Sequence, residues 1–311
     1  MDQIEPLLGQ LASLSPSQYC QAFFILSAAF VLSLQALPDD MRKALMDYGA
    51  RRPKDGERTE KKTFLDVVTS YGQVPHRWFM HFYIVSLSWS VFWAAQYVQK
   101  GSAMRFLAQK QVSSSGREVF YDVDLGRTLI SWVLMSFQGS RRLYECFFVT
   151  KPGSTPMWFV HWALGLVFYT TMGASVWIEG SDAILESWKS PQGVQILTPR
   201  NLFGIAVFFF AWFKQSQFHR HLASLKKYTL PSDSWFQYIV CPHYTTECLL
   251  YLGLAFVAAP PGSLFNKSVL CGLAFVASNL GATAHGTKQW YASKFGTDQV
   301  APRWKMIPFV F

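Results

Sequence analysis

The sequence lacks the usual soluble signatures of nucleotide and metal binding. It has no Gly-x-Gly-x-x-Gly fingerprint of a dinucleotide fold, no glycine-rich phosphate loop ending in lysine, and no His-Glu-x-x-His zinc helix. The five cysteines (Cys20, Cys146, Cys241, Cys248 and Cys271) fall in apolar runs without paired ligand spacing, so they read as small buried residues and no metal is expected. Any cofactor site has to be assembled from ordinary helices. Charge is sparse, at 15% of residues, and no polar segment is long enough for a separate domain. No internal repeat is evident. No basic residue precedes the first apolar run, and Asp2 and Glu5 lie before it, so Tyr19 to Leu37 is expected to stay as a membrane anchor and not as a cleaved signal peptide.

What is present is apolar: 50% of the 311 residues are hydrophobic and 17% aromatic. Runs of membrane-spanning length recur at Tyr19 to Leu37, Trp78 to Val98, Thr128 to Val149, Met157 to Ile178, Asn201 to Phe218, Tyr238 to Ala259 and Ser263 to Ala284. About 20 apolar residues cross a bilayer. The pattern predicts an all-α, polytopic integral membrane protein of roughly six to seven transmembrane helices. The third run is the weakest, because Arg141, Arg142 and Glu145 interrupt it and a soluble helix would look similar.

Basic residues sort by side. With the first segment luminal, the cytosolic segments hold the clusters Arg42 to Lys62, Lys214 to Lys227 and Lys288 to Lys305, and the luminal ones hold few. That asymmetry puts the C-terminus in the cytosol and explains the net charge of +9 without nucleic acid. A basic cytosolic face also suits anionic headgroups or an anionic cofactor. Between the runs, Pro38 to His76 is expected to open with a short interfacial helix stopping at Gly49, and Lys100 to Asp124, with Ser113-Ser114-Ser115-Gly116, to be flexible. The sequon Asn266-Lys267-Ser268 falls in a predicted luminal hairpin close to the bilayer.

The second half carries polar groups where lipid should be. Cys241-Pro242-His243-Tyr244-Thr245-Thr246-Glu247 opens an apolar run, and an imidazole and an acid four residues apart share one helix face. Ionisable residues at membrane depth are costly and mark sites. The bland alternative is a helix start at the interface, with both groups solvated. Arg141, Arg142 and Glu145 can likewise pair with one another across a turn.

The last 100 or so residues resemble the membrane-embedded steroid 5-alpha-reductase family, and within it the polyprenol (polyprenal) reductase branch. The carriers are His219 with Leu225-Lys226-Lys227, Leu230-Pro231 before Trp235-Phe236-Gln237-Tyr238, Pro242-His243-Tyr244 with Glu247, Trp290-Tyr291 with Lys294-Phe295, and Arg303 through Ile307-Pro308-Phe309-Val310-Phe311. Arg77-Trp78-Phe79, His81-Phe82-Tyr83, the Asp47-Tyr48-Gly49 turn and Ser232-Asp233-Ser234 point to the branch. The tail departs from the family at Thr297 to Pro302 and at Thr283.

The resemblance implies NADPH-dependent reduction of a carbon–carbon double bond conjugated to a carbonyl, on an endoplasmic-reticulum membrane. Hydride needs an electron-poor carbon, which an enal has and an allylic alcohol lacks, so the implied substrate is a long-chain polyprenal on the way to dolichol and protein glycosylation. The implied division is a substrate side, residues 1–150 with the loop 38–77, and a cofactor side, residues 151–311. By resemblance, Gln215, His219, Lys226, Tyr228, Tyr238, His243, Glu247, Tyr291 and Arg303 form the cofactor pocket, with Glu247 accepting from an amide or hydroxyl and Lys226 and Arg303 facing phosphates. The electrophile-activating donor is assigned to Tyr83 with Asp47 in support and His81 nearby. Tyr291 also reads as an interfacial aromatic. A steroid or an enoyl thioester stays open as substrate. So does a membrane isoprenylcysteine-type methyltransferase, against which Lys226, Lys227 and Arg303 argue, and a receptor or transporter, which would leave the ordered C-terminal motif without a purpose.

Overall fold

The computed structural model describes residues 13–46, 64–114, 123–151, 153, 155–190, 193–196, 198–226 and 229–311. In chain order its helices are α1 (Pro16–Leu34), α2 (Asp39–Met46), α3 (Phe64–Ser70), α4 (Met80–Val98), α5 (Ser102–Ser114), α6 (Leu125–Phe148), α7 (Phe159–Ser175), α8 (Ser181–Lys189), α9 (Pro199–Ser224), α10 (Pro242–Val257), α11 (Lys267–Phe295) and α12 (Thr297–Val300). Two-residue strands β1 (Gln73–Val74) and β2 (Met157–Trp158) pair antiparallel and tie the approach to α4 to the start of α7. Each predicted apolar run lies on a helix.

Local chemistry sets the helix starts. Ser15 caps α1 in a reciprocal box with Gln18, and Pro16 occupies the first turn where its missing N–H costs nothing. Asp124 caps α6 through the Arg127 amide, Thr198 caps α9 through that of Asn201, and Asn266 caps α11 through that of Val269.

Among the described residues, three helical segments are long and apolar enough to cross a membrane by length and composition: Pro16–Leu34, Phe159–Lys189 and Lys267–Phe295. On α1, Cys20, Phe24, Ala28 and Val31 face the bundle, whereas Leu26 and Phe30 are at least 60% exposed on the outer side. α6 is less apolar than these for a physical reason: its polarity is inverted. Thr128, Ser131, Gln138, Arg141 and Glu145 are buried, while Val133, Phe137, Tyr144, Phe147 and Phe148 point outward. Polar groups inside and apolar groups outside suit a lipid surround, where a charge must find a partner within the bundle. At 24 residues α6 is about 36 Å long, enough to span. The chain is an all-α, multi-pass membrane protein.

α9 and α10 pack side by side, and glycines let them meet. A Cβ on Gly253 would stand 3.1 Å from the Phe208 amide nitrogen and 3.2 Å from the Gly204 oxygen. Phe24 of α1 packs edge-on to Phe168 of α7 at 5.7 Å, joining the N-terminal helix to the core. The tail folds back on the start of α10: Val240 N–H donates to Trp304 O at 2.8 Å, and Thr245 Oγ1 to Met306 O at 2.5 Å. Val240, Cys241, Ala284, Val300 and Met306 close a second small core there.

The structure corrects some expectations. Much of the stretch expected to be flexible, Lys100 to Asp124, is helix α5, because Met104 and Ala108 are fully buried at helical spacing and the Gln96 side chain accepts from the Ala103 and Met104 amides. The last apolar run ends at Ala284 but its helix continues to Phe295, stopped by Gly296 at φ 97°. The sequon Asn266 is buried, caps α11 and donates to Ala258 O at 3.2 Å, so its amide is committed to the fold. The Gly49 stop of the interfacial helix lies outside the described residues.

Candidate active site

The site starts from the inverted face of α6. Successive turns place Gln138, Arg141, Arg142 and Glu145 toward α4, α9 and α10. Glu145 is 1% exposed and holds both guanidinium groups, Arg141 Nη1 at 2.5 Å on Oε1 and Arg142 Nη1 on Oε2. Arg141 continues to Gln138 Oε1 at 2.8 Å and to Gln215 Oε1 on α9, and its Cζ stands 5.1 Å over the Trp212 ring. Gln215 donates to Glu247 of α10, and so does Gln138, at 3.2 Å to Oε2. Two cations and two carboxylates thus balance inside one network, which is the condition for keeping charge out of water.

Arg142 carries the network to α4. Its Nη2 and Nε donate to Tyr83 Oη at 2.8 and 3.1 Å, and its Cζ lies 4.9 Å from the Tyr83 ring centre. With two N–H groups on its oxygen, the phenol keeps its own O–H free to donate elsewhere. His219 Nδ1 sits 2.7 Å from Glu145 Oε2 and 2.8 Å from Arg142 Nη1. One ring nitrogen cannot donate to a carboxylate and accept from a guanidinium together. Protonated, Nδ1 serves Glu145; unprotonated, it serves Arg142.

These groups share a cavity of about 220 Å³. Tyr83, Arg142, Gln215, His219 and Glu247 are among its polar lining, and Phe79, Phe82, Phe168, Tyr169 and Phe275 supply aromatic walls. Gly165 of α7 admits Phe82: a Cβ there would lie 2.5 Å from the Phe82 ring. The face α10 presents is Tyr244, Glu247 and Tyr251, spaced by three and four.

The predicted residues divide. Tyr83, Gln215, His219 and Glu247 come together around the cavity. His243 shares the α10 start but is offset from Glu247: its ring packs on His219 at 5.7 Å and Phe236 at 6.3 Å, and its carbonyl accepts from Gln215 at 3.3 Å. His81 turns the other way on α4, accepting from Trp162 Nε1 at 3.3 Å, and does not line the cavity. Tyr238 and Lys226 are exposed. Arg303 donates to Pro231 O at 2.6 Å, and Tyr291 packs with the second small core. Asp47 and Tyr228 lie outside the described residues. Sequence reasoning passed over Gln138 and left Arg141, Arg142 and Glu145 open between pairing with one another and a catalytic role. They do pair, but the signal for more was their recurrence at three and four residues beside Gln138 within an apolar run.

Residues 155–311 match the family described as 3-oxo-5-alpha-steroid 4-dehydrogenase. The chain belongs to this family. Curated relatives extend the likeness beyond that region. The chain is 27% identical to polyprenal reductase 1 of Arabidopsis thaliana over 272 residues, covering 76% of this chain and 82% of the relative. It is 28% identical to polyprenal reductase of Danio rerio over 250 residues (75% and 78%), and 25% identical to polyprenal reductase of Homo sapiens over 315 residues (92% and 93%). As a member of the 3-oxo-5-alpha-steroid 4-dehydrogenase family the protein is an oxidoreductase acting on a carbon–carbon double bond.

Family members generally use a nicotinamide cofactor, and the residues here fit one. Glu247 and Gln215 offer a carboxylate and a carboxamide at the cavity wall, and His243 Nδ1 is buried without a hydrogen-bond partner. Lys226, Arg303 and Lys305 lie where α9 ends and the tail meets α10, outside the spans. Partial burial lowers Arg303 and Lys305 from their ordinary values, a cost that a bound anion offsets.

Proposed function

We propose that this protein reduces the α double bond of a long-chain polyprenal with NADPH, as a step toward dolichol for protein glycosylation, in the endoplasmic-reticulum membrane with its C-terminus in the cytosol. The observation that carries this reading is Tyr83, a buried phenol whose oxygen is held by Arg142 and which lines an aromatic cavity. The similarity to polyprenal reductases supports the substrate class.

A bound NADPH supplies the hydride. Tyr83 donates to the aldehyde oxygen, drawing electron density from the conjugated alkene and stabilising the enolate oxygen as hydride reaches the β-carbon; the enolate then takes a proton at its α-carbon to give the saturated aldehyde. Arg142, fixed by Glu145, keeps the phenol aimed and places positive charge behind it. Phe79, Phe82 and Phe168 exclude water, which strengthens those interactions. Gln215, His219, His243 and Glu247 hold the nicotinamide end, and Lys226, Tyr228, Tyr238, Tyr291 and Arg303 the remainder, with the lysine and arginine on phosphates. The isoprenoid tail leaves toward lipid between aromatic side chains and needs no polar contact.

The test is NADPH oxidation by purified protein with a short polyprenal, the matching polyprenol and testosterone in parallel. Turnover of the polyprenal alone is expected. Turnover of testosterone alone would keep the chemistry and overturn the substrate, and oxidation with none of them would return the methyltransferase reading.

A further inference from the structure

Tyr251 lies on α10 one turn beyond Glu247, is 1% exposed and lines the same cavity. Its ring is held edge-on to Phe168 with centroids 6.3 Å apart. Its hydroxyl is different: it is buried and has no hydrogen-bond partner. The polar wall nearby behaves otherwise, since Tyr83, Arg142, Gln215, His219 and Glu247 are all bonded within the network. A buried polar group without a partner is unfavourable, and phenylalanine would fill the same space without that cost. The hydroxyl, at the wall of a cavity, is therefore open to a partner that a ligand would bring.

Its surroundings say what it takes. A phenol is a good O–H donor whose oxygen can also accept. Phe168 packs on its ring and Phe275 and Val276 line the same cavity, which favours a neutral oxygen flanked by apolar atoms over a charged group. We propose that Tyr251 recognises ligand, its hydroxyl donating to a carbonyl oxygen of a molecule bound in the cavity. The inference rests on the reductase reading, which brings two such oxygens to the cavity, that of the substrate aldehyde and that of the nicotinamide carboxamide.

Tyr251→Phe separates the two sources while keeping the ring. NADPH is titrated by its fluorescence, a short polyprenal is followed for kcat and KM, and thermal unfolding is recorded for each protein. Tyr97→Phe, at a hydroxyl bonded to Ser187 at 3.2 Å and away from the cavity, is the control. The expected result is a roughly tenfold loss at one oxygen. A weaker NADPH Kd assigns the carboxamide; a lower kcat/KM for polyprenal at unchanged NADPH Kd assigns the aldehyde. The variant should unfold at the wild-type temperature or above it, because the unpaired hydroxyl is gone. Wild-type values for both ligands would overturn the proposal, as would a marked drop in unfolding temperature accompanying the loss. If wild-type protein fails on polyprenal the reductase reading falls, and the NADPH titration still decides Tyr251; protein that neither binds NADPH nor turns over polyprenal overturns both.

Discussion

Tyr83, Arg142 and Glu145 form a chain in which each residue has a separable task. In the proposed mechanism Tyr83→Phe would remove the donor to the forming enolate, so kcat should fall by about 10²- to 10³-fold while the NADPH Kd holds, as read by stopped turnover and fluorescence titration. A parallel loss of nucleotide affinity would move Tyr83 into the cofactor site. Glu145→Gln is different, since it leaves Arg141 and Arg142 without their shared buried counter-charge. Breaking such a pair costs about 3–5 kcal/mol, so the variant should elute aggregated or unfold well below wild type in detergent. His76, in the turn before α4, shows a simpler effect. Burial holds its folded pKa below 6.5, so the unfolded chain binds the proton first. Stability should drop as pH falls through about 6.5, and His76→Gln should flatten that slope in thermal unfolding.

Among the helices, α9 and α10 approach until backbone meets backbone. Gly253→Val would drive a side chain into the Gly204 and Phe208 backbone, and overpacking of this kind costs about 1–3 kcal/mol, visible as a lower unfolding temperature. The cap of α11 gives a second check. Asn266→Ala should cost about 1 kcal/mol, and wild-type protein should not shift on a gel after glycosidase treatment, because the amide is buried and bonded. A glycan at Asn266 would contradict this packing.

For the whole molecule, the charge asymmetry and the bundle together predict the C-terminal side. A tag after Phe311 should be removed by protease added to sealed microsomes, and protection of the tag would invert the orientation. The balanced network at the junction of α6, α9 and α10 also predicts that the purified protein loses activity and compactness together when the detergent strips the bundle apart.

The hydropathy pattern alone was enough for the all-α membrane class, because apolar runs of spanning length have few other uses, and the ordered motif around His243 and Glu247 was enough for the family. Spacing also placed Glu247 on an inward face. It could not say that Tyr244 and Tyr251 share that face while His243 turns to His219, since a helix start shifts the register by a residue. Nor could it decide Arg142. Residues 83, 142 and 219 are far apart in the chain, and an arginine three residues from a glutamate satisfies itself locally on any helix. Only the packing of α4 and α9 against α6 brings a phenol and an imidazole to the same guanidinium, because long-range contacts depend on helix rotation and crossing, which side-chain volume sets and linear pattern does not.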